Sequence, residues 1–343
     1  MYTIKQAASR SGVSVPLLRA WERRYRIVAP ARTASGYRLY DDDALERLRT
    51  MRRLVDAGWT PSTAAGAILS GEPIELPDDG GPSTFGGERS RLGGGSADED
   101  DLIERFVEAA IAFDTDGLER ILDQMFAAGT FEVAADSHLL PALVAIGDAW
   151  ADGRLGVAGE HAASHAALRR LAAAFQAAGR ATSPEGAILV GMPPTARHEL
   201  GALAFATAAR RADLAILYLG PDLPSDEWVA TARRTRARAA VIGVLTGGDV
   251  RPAVDVARAL QAVEPALVIL FGGRSAERAG RLFATDGGEG GRQDGVSSEP
   301  GPEPIVLPKP LGEGVRALER AVASATKLPP GPAPDPQSRA TAR

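Results

Sequence analysis

The sequence predicts a multidomain chain: a small basic head of short helices and a hairpin, of mixed α+β class, then an α-helical bundle, then a doubly wound α/β domain around a parallel five-stranded sheet. Three observations carry this reading. Residues 1–70 hold twelve Lys or Arg against six Asp or Glu, whereas residues 71–100 hold two against eight, within a net charge of −5. Composition breaks at 71–100, at 285–304 and after Lys327, where Gly, Pro, Ser and acidic residues replace aliphatic ones. From residue 187 onward, short apolar runs alternate with helix-like stretches, the pattern of strands and helices in a parallel sheet. A chain of 343 residues is long enough for several separate cores. The breaks divide it into a head over 1–70, a disordered linker over 71–100, a bundle over 101–180, an α/β domain over 185–326 with a flexible insertion at 285–304, and a disordered tail over 327–343.

In the head, YTIKQAASRSGVSVPLLRAWERRY reads as two short helices with a sharp turn between them. Thr3 caps the first helix, Gly12 supplies the left-handed turn residue, and Ser14 caps the second helix, with Pro16 in its first turn. Ala7, Ala8, Val13 and Leu18 are the small apolar contacts between the two. Arg19, Arg23 and Arg24 on the second helix, near Trp21 and Tyr25, present guanidinium groups suited to phosphates or to guanine edges in a major groove. A solvated basic helix has the same composition. RTASGYRLYDDDALERLRTMRRL adds a turn at Ser35-Gly36, alternating Tyr37, Arg38, Leu39 and Tyr40 suited to a hairpin, and an Asp-capped amphipathic helix.

TIKQAASRSGVS, LRAWERRY and GYRLYDDDALERL occur in this order, and through them residues 2–69 resemble the MerR family of winged helix-turn-helix regulators. The resemblance implies DNA contacts from Ser14, Arg19 and Arg23 at the recognition helix, with Arg38 and Tyr40 of the wing on phosphate. Arg24 and Tyr25 either contact DNA or support the wing. It also implies binding to a double-stranded operator as a dimer or larger oligomer, with RNA polymerase a further partner. Many members dimerise through a long coiled coil after the head. A linker stands there in this chain, so self-association is expected from the C-terminal half.

Residues 101–179 are dense in Ala, Leu and Ile at helical spacing, as in DLIERFVEAAIAF, and read as a bundle. Strands are then expected at AILVG, LAILYLG, AAVIGVL, ALVILFGG and IVLPKP. His198 follows the first strand and precedes a helix, at the carboxyl edge where open α/β sheets bind ligands. From the residues alone it is a capping histidine, a base or a metal ligand. Gly201 leaves room for close approach at the start of that helix, and Gly272-Gly273 ends the fourth strand at the same edge, as approach of a large planar ligand requires.

Trp150 followed ten residues later by Glu160-His161, then H-x-x-G, LGPDLP and the glycine pair, resemble a cobalamin-binding module: a four-helix-bundle cap and a flavodoxin-like domain. Joined to the head, they resemble the B12-dependent photoreceptor repressors of the CarH and LitR type. That resemblance implies adenosylcobalamin as cofactor and His198 as the lower axial ligand of cobalt. It further implies that Trp150 lies over the upper face with Glu160 and His161 close by, and that Gly201, Thr246, Gly272 and Gly273 complete the cofactor site. The chain departs from the pattern at three places. Ala196 stands where the family has the aspartate that orients the histidine, leaving Glu199 or Thr195 as nearby substitutes. Val244-Leu245-Thr246 keeps only the threonine of the motif that seats the nucleotide tail. Ala151 stands where light-sensing members have a second histidine.

Other classes are disfavoured. The absence of cysteine excludes disulfides, thiolate metal sites and cysteine nucleophiles, and suits a cytoplasmic protein. MYTIKQAASR lacks the apolar core of a signal peptide, and no apolar run reaches membrane-spanning length. A cobalamin enzyme needs a substrate domain for which the bundle leaves no room; no G-x-S-x-G elbow and no G-x-G-x-x-G after the first strand are present. His165, four residues after His161, has a metal-ligand spacing without a third ligand. Two alternatives share the fold: a cobalamin-independent regulator whose C-terminal half serves assembly or binds another small molecule, and a light-independent cobalamin sensor, which fits Ala151.

Overall fold

The computed structural model describes residues 1–13, 15–32, 38–56, 61–70, 97–127, 129–179, 185–286 and 302–326. Ser14, the turn at Ser35-Gly36, residues 71–96 of the linker, residues 287–301 of the insertion and the tail lie outside them.

The head runs β1 (Tyr2–Thr3), α1 (Ile4–Ser11), α2 (Val15–Tyr25), β2 (Ala31–Arg32), β3 (Arg38–Tyr40), α3 (Asp42–Asp56) and α4 (Pro61–Ser70). Thr3 and Gln6 form a reciprocal capping box at the start of α1, satisfying two backbone donors that the first turn cannot. Gly12, at φ 70, ends α1 in the left-handed region that an L side chain resists. Asp41 accepts from the Ala44 amide at 2.8 Å and so caps α3. The hairpin has a third strand that the sequence pattern did not show. β1 pairs antiparallel with β3 through Tyr2–Tyr40 and Thr3–Leu39, placing β3 in the centre. Trp21, Leu18, Ile27, Leu48, Met51 and Leu54 fill a core private to the head, each worth about 1.5–3 kcal/mol buried relative to exposed.

The bundle consists of α5 (Ala97–Ala112), α6 (Thr115–Ala127), α7 (Phe131–Ala134), α8 (Leu140–Ala151) and α9 (Val157–Ala177). α7 and α8 are one continuous rod joined by a π-helical turn at Ala135–Leu139. Pro141 follows that turn and has no amide hydrogen to give the carbonyl one turn back, so the helix widens there rather than breaking.

The α/β part is β4 (Ile188–Gly191), α10 (Leu200–Arg211), β5 (Ile216–Gly220), α11 (Ser225–Thr235), β6 (Ala239–Gly243), α12 (Val250–Val263), β7 (Val268–Gly272), α13 (Ala276–Asp286), β8 (Ile305–Val306) and α14 (Leu311–Thr326). The five strands are parallel in the order β5-β4-β6-β7-β8. The order reverses between β4 and β6, and the crevice of such a sheet opens there. Alternate residues face opposite sides. Leu189, Ala240, Ile242, Ile269 and Phe271 pack with α11, α12 and α13. Ile188, Val190, Val241 and Leu270 face the other way, into one continuous core shared with α10, α14 and the bundle helices.

Bundle and sheet are thus a single packed body. Arg210 on α10 clasps it: its guanidinium donates to the carbonyls of Phe175, Gly179 and Ile216 and lies 3.5 Å from the Phe175 ring centre. Arg211 pairs with Glu132 at 2.9 Å, and Asp136 accepts from the Leu311 amide at 2.9 Å. Arg210→Ala is expected to cost about 2–3 kcal/mol in urea denaturation of the full chain, because three carbonyls lose a charged donor together. No helix among the described residues is long and apolar enough to cross a membrane.

Candidate functional site

The head sorts its arginines into two groups. Arg19 and Arg23 stand one turn apart on α2 and are exposed. Arg24 follows on the same helix, while Tyr25 is half-buried against the head core. Others are structural: Arg49 donates to the Arg10 carbonyl and Arg52 to the Gly12 carbonyl, tying α3 to the turn between α1 and α2.

The wing residues differ from expectation. Tyr40 is wholly buried, and its hydroxyl donates to Glu22 at 3.1 Å. It is therefore no direct phosphate contact; burial and the Glu22 carboxylate push its hydroxyl pKa well up. Arg38 also reaches Glu22, with Nε 2.9 and 3.0 Å from the two carboxylate oxygens, and its side chain keeps 32% exposure. Glu22 thereby fixes the wing to the recognition helix. Sequence reasoning passed over it, although it is the only acidic residue among the first forty. Glu22→Ala is expected to destabilise the head by about 1–3 kcal/mol, seen as a lower melting temperature, since Tyr40 is left buried without an acceptor.

In the C-terminal half, the loops after β4 and after β6 flank the reversal of strand order. His198 lies in the first of them, two residues before α10, exposed and with no hydrogen bond among the described residues. A turn over Pro193–Ala196 precedes it, closed by the Ala196 amide donating to the Pro193 carbonyl at 3.2 Å. That turn holds Thr195 at φ 69, a left-handed conformation costing a β-branched residue on the order of 1–2 kcal/mol. Ala196 is buried. One oxygen of the Glu199 carboxylate accepts the Tyr218 hydroxyl at 2.7 Å, and no hydrogen bond joins Glu199 to His198 among the described residues. Burial, with that bond second, raises the Tyr218 pKa strongly.

Gly201 opens onto empty space: a Cβ there would meet no atom within 4 Å. The glycine pair closes β7, Gly272 as its last residue and Gly273 directly after it. Gly273 has φ 111, and its Cβ would fall 2.5 Å from the Val244 carbonyl oxygen, so the neighbour that needs a glycine is the protein's own backbone. Val244 is buried in the core, whereas Thr246 begins a short turn whose amides are held by the buried Asp249 carboxylate at 2.7 and 3.1 Å. The Thr246 hydroxyl oxygen is buried and its proton has no acceptor among the described residues.

The end of α8 lies within electrostatic reach of that edge through Asp148 and Arg274. Burial and Asp152 hold the Asp148 carboxyl above the usual range, opposed by Arg274, which directly follows the glycine pair, and by Arg154. Trp150, half-buried on that last turn, packs against the shared core. Across the next loop, Glu160 accepts from Ser164 at 2.8 Å and lies 3.5 Å from His161, which stacks obliquely with His165. No group of three His, Cys, Asp or Glu among the described residues forms a metal cage.

The crevice fits the corrinoid that the sequence resemblance implies. An exposed imidazole, an unobstructed helix start at Gly201 and a buried hydroxyl lacking an acceptor are what a large ligand with one nitrogen-seeking metal and several polar groups requires.

Comparison with known proteins agrees. The model of the MerR HTH family regulatory protein matches residues 2–70, and that of the B12 binding domain matches residues 102–174. The HTH-type transcriptional repressor CarH of Myxococcus xanthus is 32% identical over 232 residues, covering 66% of this chain and 73% of that protein. The repressor CarA of the same organism is 30% identical over 224 residues, 65% of this chain and 69% of that one. The corrinoid protein for monomethylamine from Methanosarcina barkeri aligns with a TM-score of 0.48 at 13% identity, over 65% of this chain and 99% of that structure. The chain therefore belongs to the family of HTH-type transcriptional repressors that includes CarH and CarA, and is a DNA-binding transcription regulator with a MerR-type head and a B12-binding domain.

Proposed function

We propose that this protein is a repressor whose oligomeric state, and through it operator affinity, is set by adenosylcobalamin held between the end of α8 and the loops after β4 and β6. The observation that carries this reading is the exposed His198 at the reversal of strand order, beside the open approach at Gly201. His198 would hold the cobalt through an imidazole nitrogen, Thr246 would donate its hydroxyl proton to the cofactor, and Trp150, Glu160 and His161 on the bundle would border it. When bound, the cofactor supplies a cobalt–carbon bond that light can cleave.

The chain's own part is mechanical. Binding that spans bundle and sheet stabilises the joined body by mass action, and an oligomer built on it tethers several heads at once. The second head then meets its half-site at high local concentration, which raises operator affinity without any new base contact. Arg19 and Arg23 contact the major groove and Arg38 the phosphate backbone, with Tyr40 positioning the wing from beneath. Ala151 favours a second reading, in which cobalamin is sensed without light.

The test is the absorbance of the full chain after incubation with adenosylcobalamin and desalting, in darkness and after green light, alongside light scattering for oligomer mass. Retention of one corrinoid per chain and a larger dark oligomer are expected. Absence of a retained corrinoid band would sink the cofactor assignment, and an oligomer indifferent to illumination establishes the light-independent reading.

A further inference from the structure

We infer that Asp222, in the LGPDLP loop after β5, is the positioning residue that orients the His198 loop in place of the aspartate absent at 196. The inference deepens the cobalt assignment of His198 and rests on it.

Two loops distant in sequence are clasped together here. The Thr195 amide donates to Asp222 Oδ1 at 2.6 Å, and the Asp222 amide donates back to the Ala196 carbonyl at 2.9 Å. The clasp is therefore reciprocal. Farther along the same pair of loops, the Met192 amide donates to the Gly220 carbonyl at 3.0 Å and the Leu223 amide to the Met192 carbonyl at 3.3 Å. Asp222 has φ 53 and Thr195 φ 69, so both members of the clasp sit in left-handed conformations that neither favours alone. Asparagine and aspartate tolerate that region; threonine does not. An acceptor oxygen on the Thr195 amide is thus what holds the turn, and the turn sets where the chain leaves for His198 three residues later.

Asp222 is suited to this task by its other contact as well. Its second carboxylate oxygen is 3.9 Å from the Arg197 guanidinium, the residue immediately before the histidine. On the far side of His198, Glu199 is bonded to Tyr218 of β5. The imidazole is consequently carried on a short segment anchored on both sides to the β5 arm, at residues 195 and 197 by Asp222 and at 199 by Tyr218. In the family pattern, an aspartate two residues before the histidine orients it side chain to side chain. In this chain, the side chain at 196 is a buried methyl group, and orientation passes instead through the backbone.

The experiment compares Asp222→Ala with Asp222→Asn in the full chain. Asparagine keeps the oxygen that accepts from Thr195 and loses only the charge toward Arg197. In the chain without cobalamin, hydrogen exchange at the Thr195 amide is expected to quicken about tenfold or more in Asp222→Ala and to change little in Asp222→Asn. After loading with cobalamin and reduction to cobalt(II), the nitrogen superhyperfine splitting of a histidine-ligated cobalt is read by electron paramagnetic resonance. The histidine-ligated share, relative to the unligated, is expected to fall about tenfold in Asp222→Ala and to stay within about twofold of wild type in Asp222→Asn. Wild-type ligation that Asp222→Ala leaves intact overturns the inference, as does unchanged Thr195 exchange. An unligated spectrum in the wild-type chain shows instead that the assignment of His198 has failed, and the inference falls with it.

Discussion

Replacing Arg19 and Arg23 together by alanine is expected to lower affinity for a cognate operator at least about 30-fold at fixed salt, without lowering thermal stability. Both side chains are exposed on α2, and neither belongs to the head core. Each contact to a base edge or phosphate is worth about 1–3 kcal/mol, so losing two costs one to several factors of ten. The salt dependence separates their roles. A residue that neutralises a phosphate contributes a slope of about −0.9 in a plot of log affinity against log salt, whereas one that reads a guanine edge changes preference among sequences more than slope. Fluorescence anisotropy on an operator selected in vitro with the wild-type chain measures both. Unchanged affinity in the double variant would remove α2 from the groove and leave the wing as the DNA-binding element. Arg38→Ala gives a mixed result by design of the fold, because it removes a candidate phosphate contact and the partner of Glu22 at once.

Much of this architecture can be read from the residues because it rests on short-range chemistry. The capping box at Thr3, the left-handed Gly12, the Asp41 cap and the five apolar runs each state a local requirement within a few positions. What escaped is carried by pairs far apart in sequence. β1 is only two residues long and is a strand because β3 lies beside it, pairing Tyr2 with Tyr40 and Thr3 with Leu39 from far along the chain. Glu22 draws its role from Arg38 and Tyr40, and Asp222 from Thr195, which is 27 positions away. Gly273 shows the opposite failing. Its presence was legible, but its cause was not, since nothing near it in sequence announces the Val244 carbonyl that crowds it. Likewise the alternation of Tyr37, Arg38, Leu39 and Tyr40 marks a strand, yet period two does not say which face is buried until the third strand is in place.

His198→Ala is expected to abolish the histidine-ligated cobalt signal and to weaken cobalamin retention about 100-fold or more, an effect larger than that of any residue around it. Loss of an outer-shell partner typically costs 10–100-fold in metal affinity, and loss of the ligand itself exceeds this. None of the remaining histidines lies on the loop after β4. His138 is buried within the bundle, and His161 and His165 lie on α9, beyond the loop that follows Trp150. No third carboxylate or imidazole joins them in a cage among the described residues. The variant is expected to fold, since the side chain is exposed and bonds to nothing among the described residues. An unchanged melting curve without cobalamin checks this. Free imidazole added to the variant then discriminates further: if the loop merely delivers a nitrogen to cobalt, imidazole restores the nitrogen splitting while operator affinity stays low, because the link from cobalt to the β4 loop remains cut. Restoration of both would mean that ligation at cobalt, and not the mechanical tie to the sheet, governs assembly. A histidine-bound spectrum in His198→Ala without imidazole would move the lower ligand elsewhere in the chain.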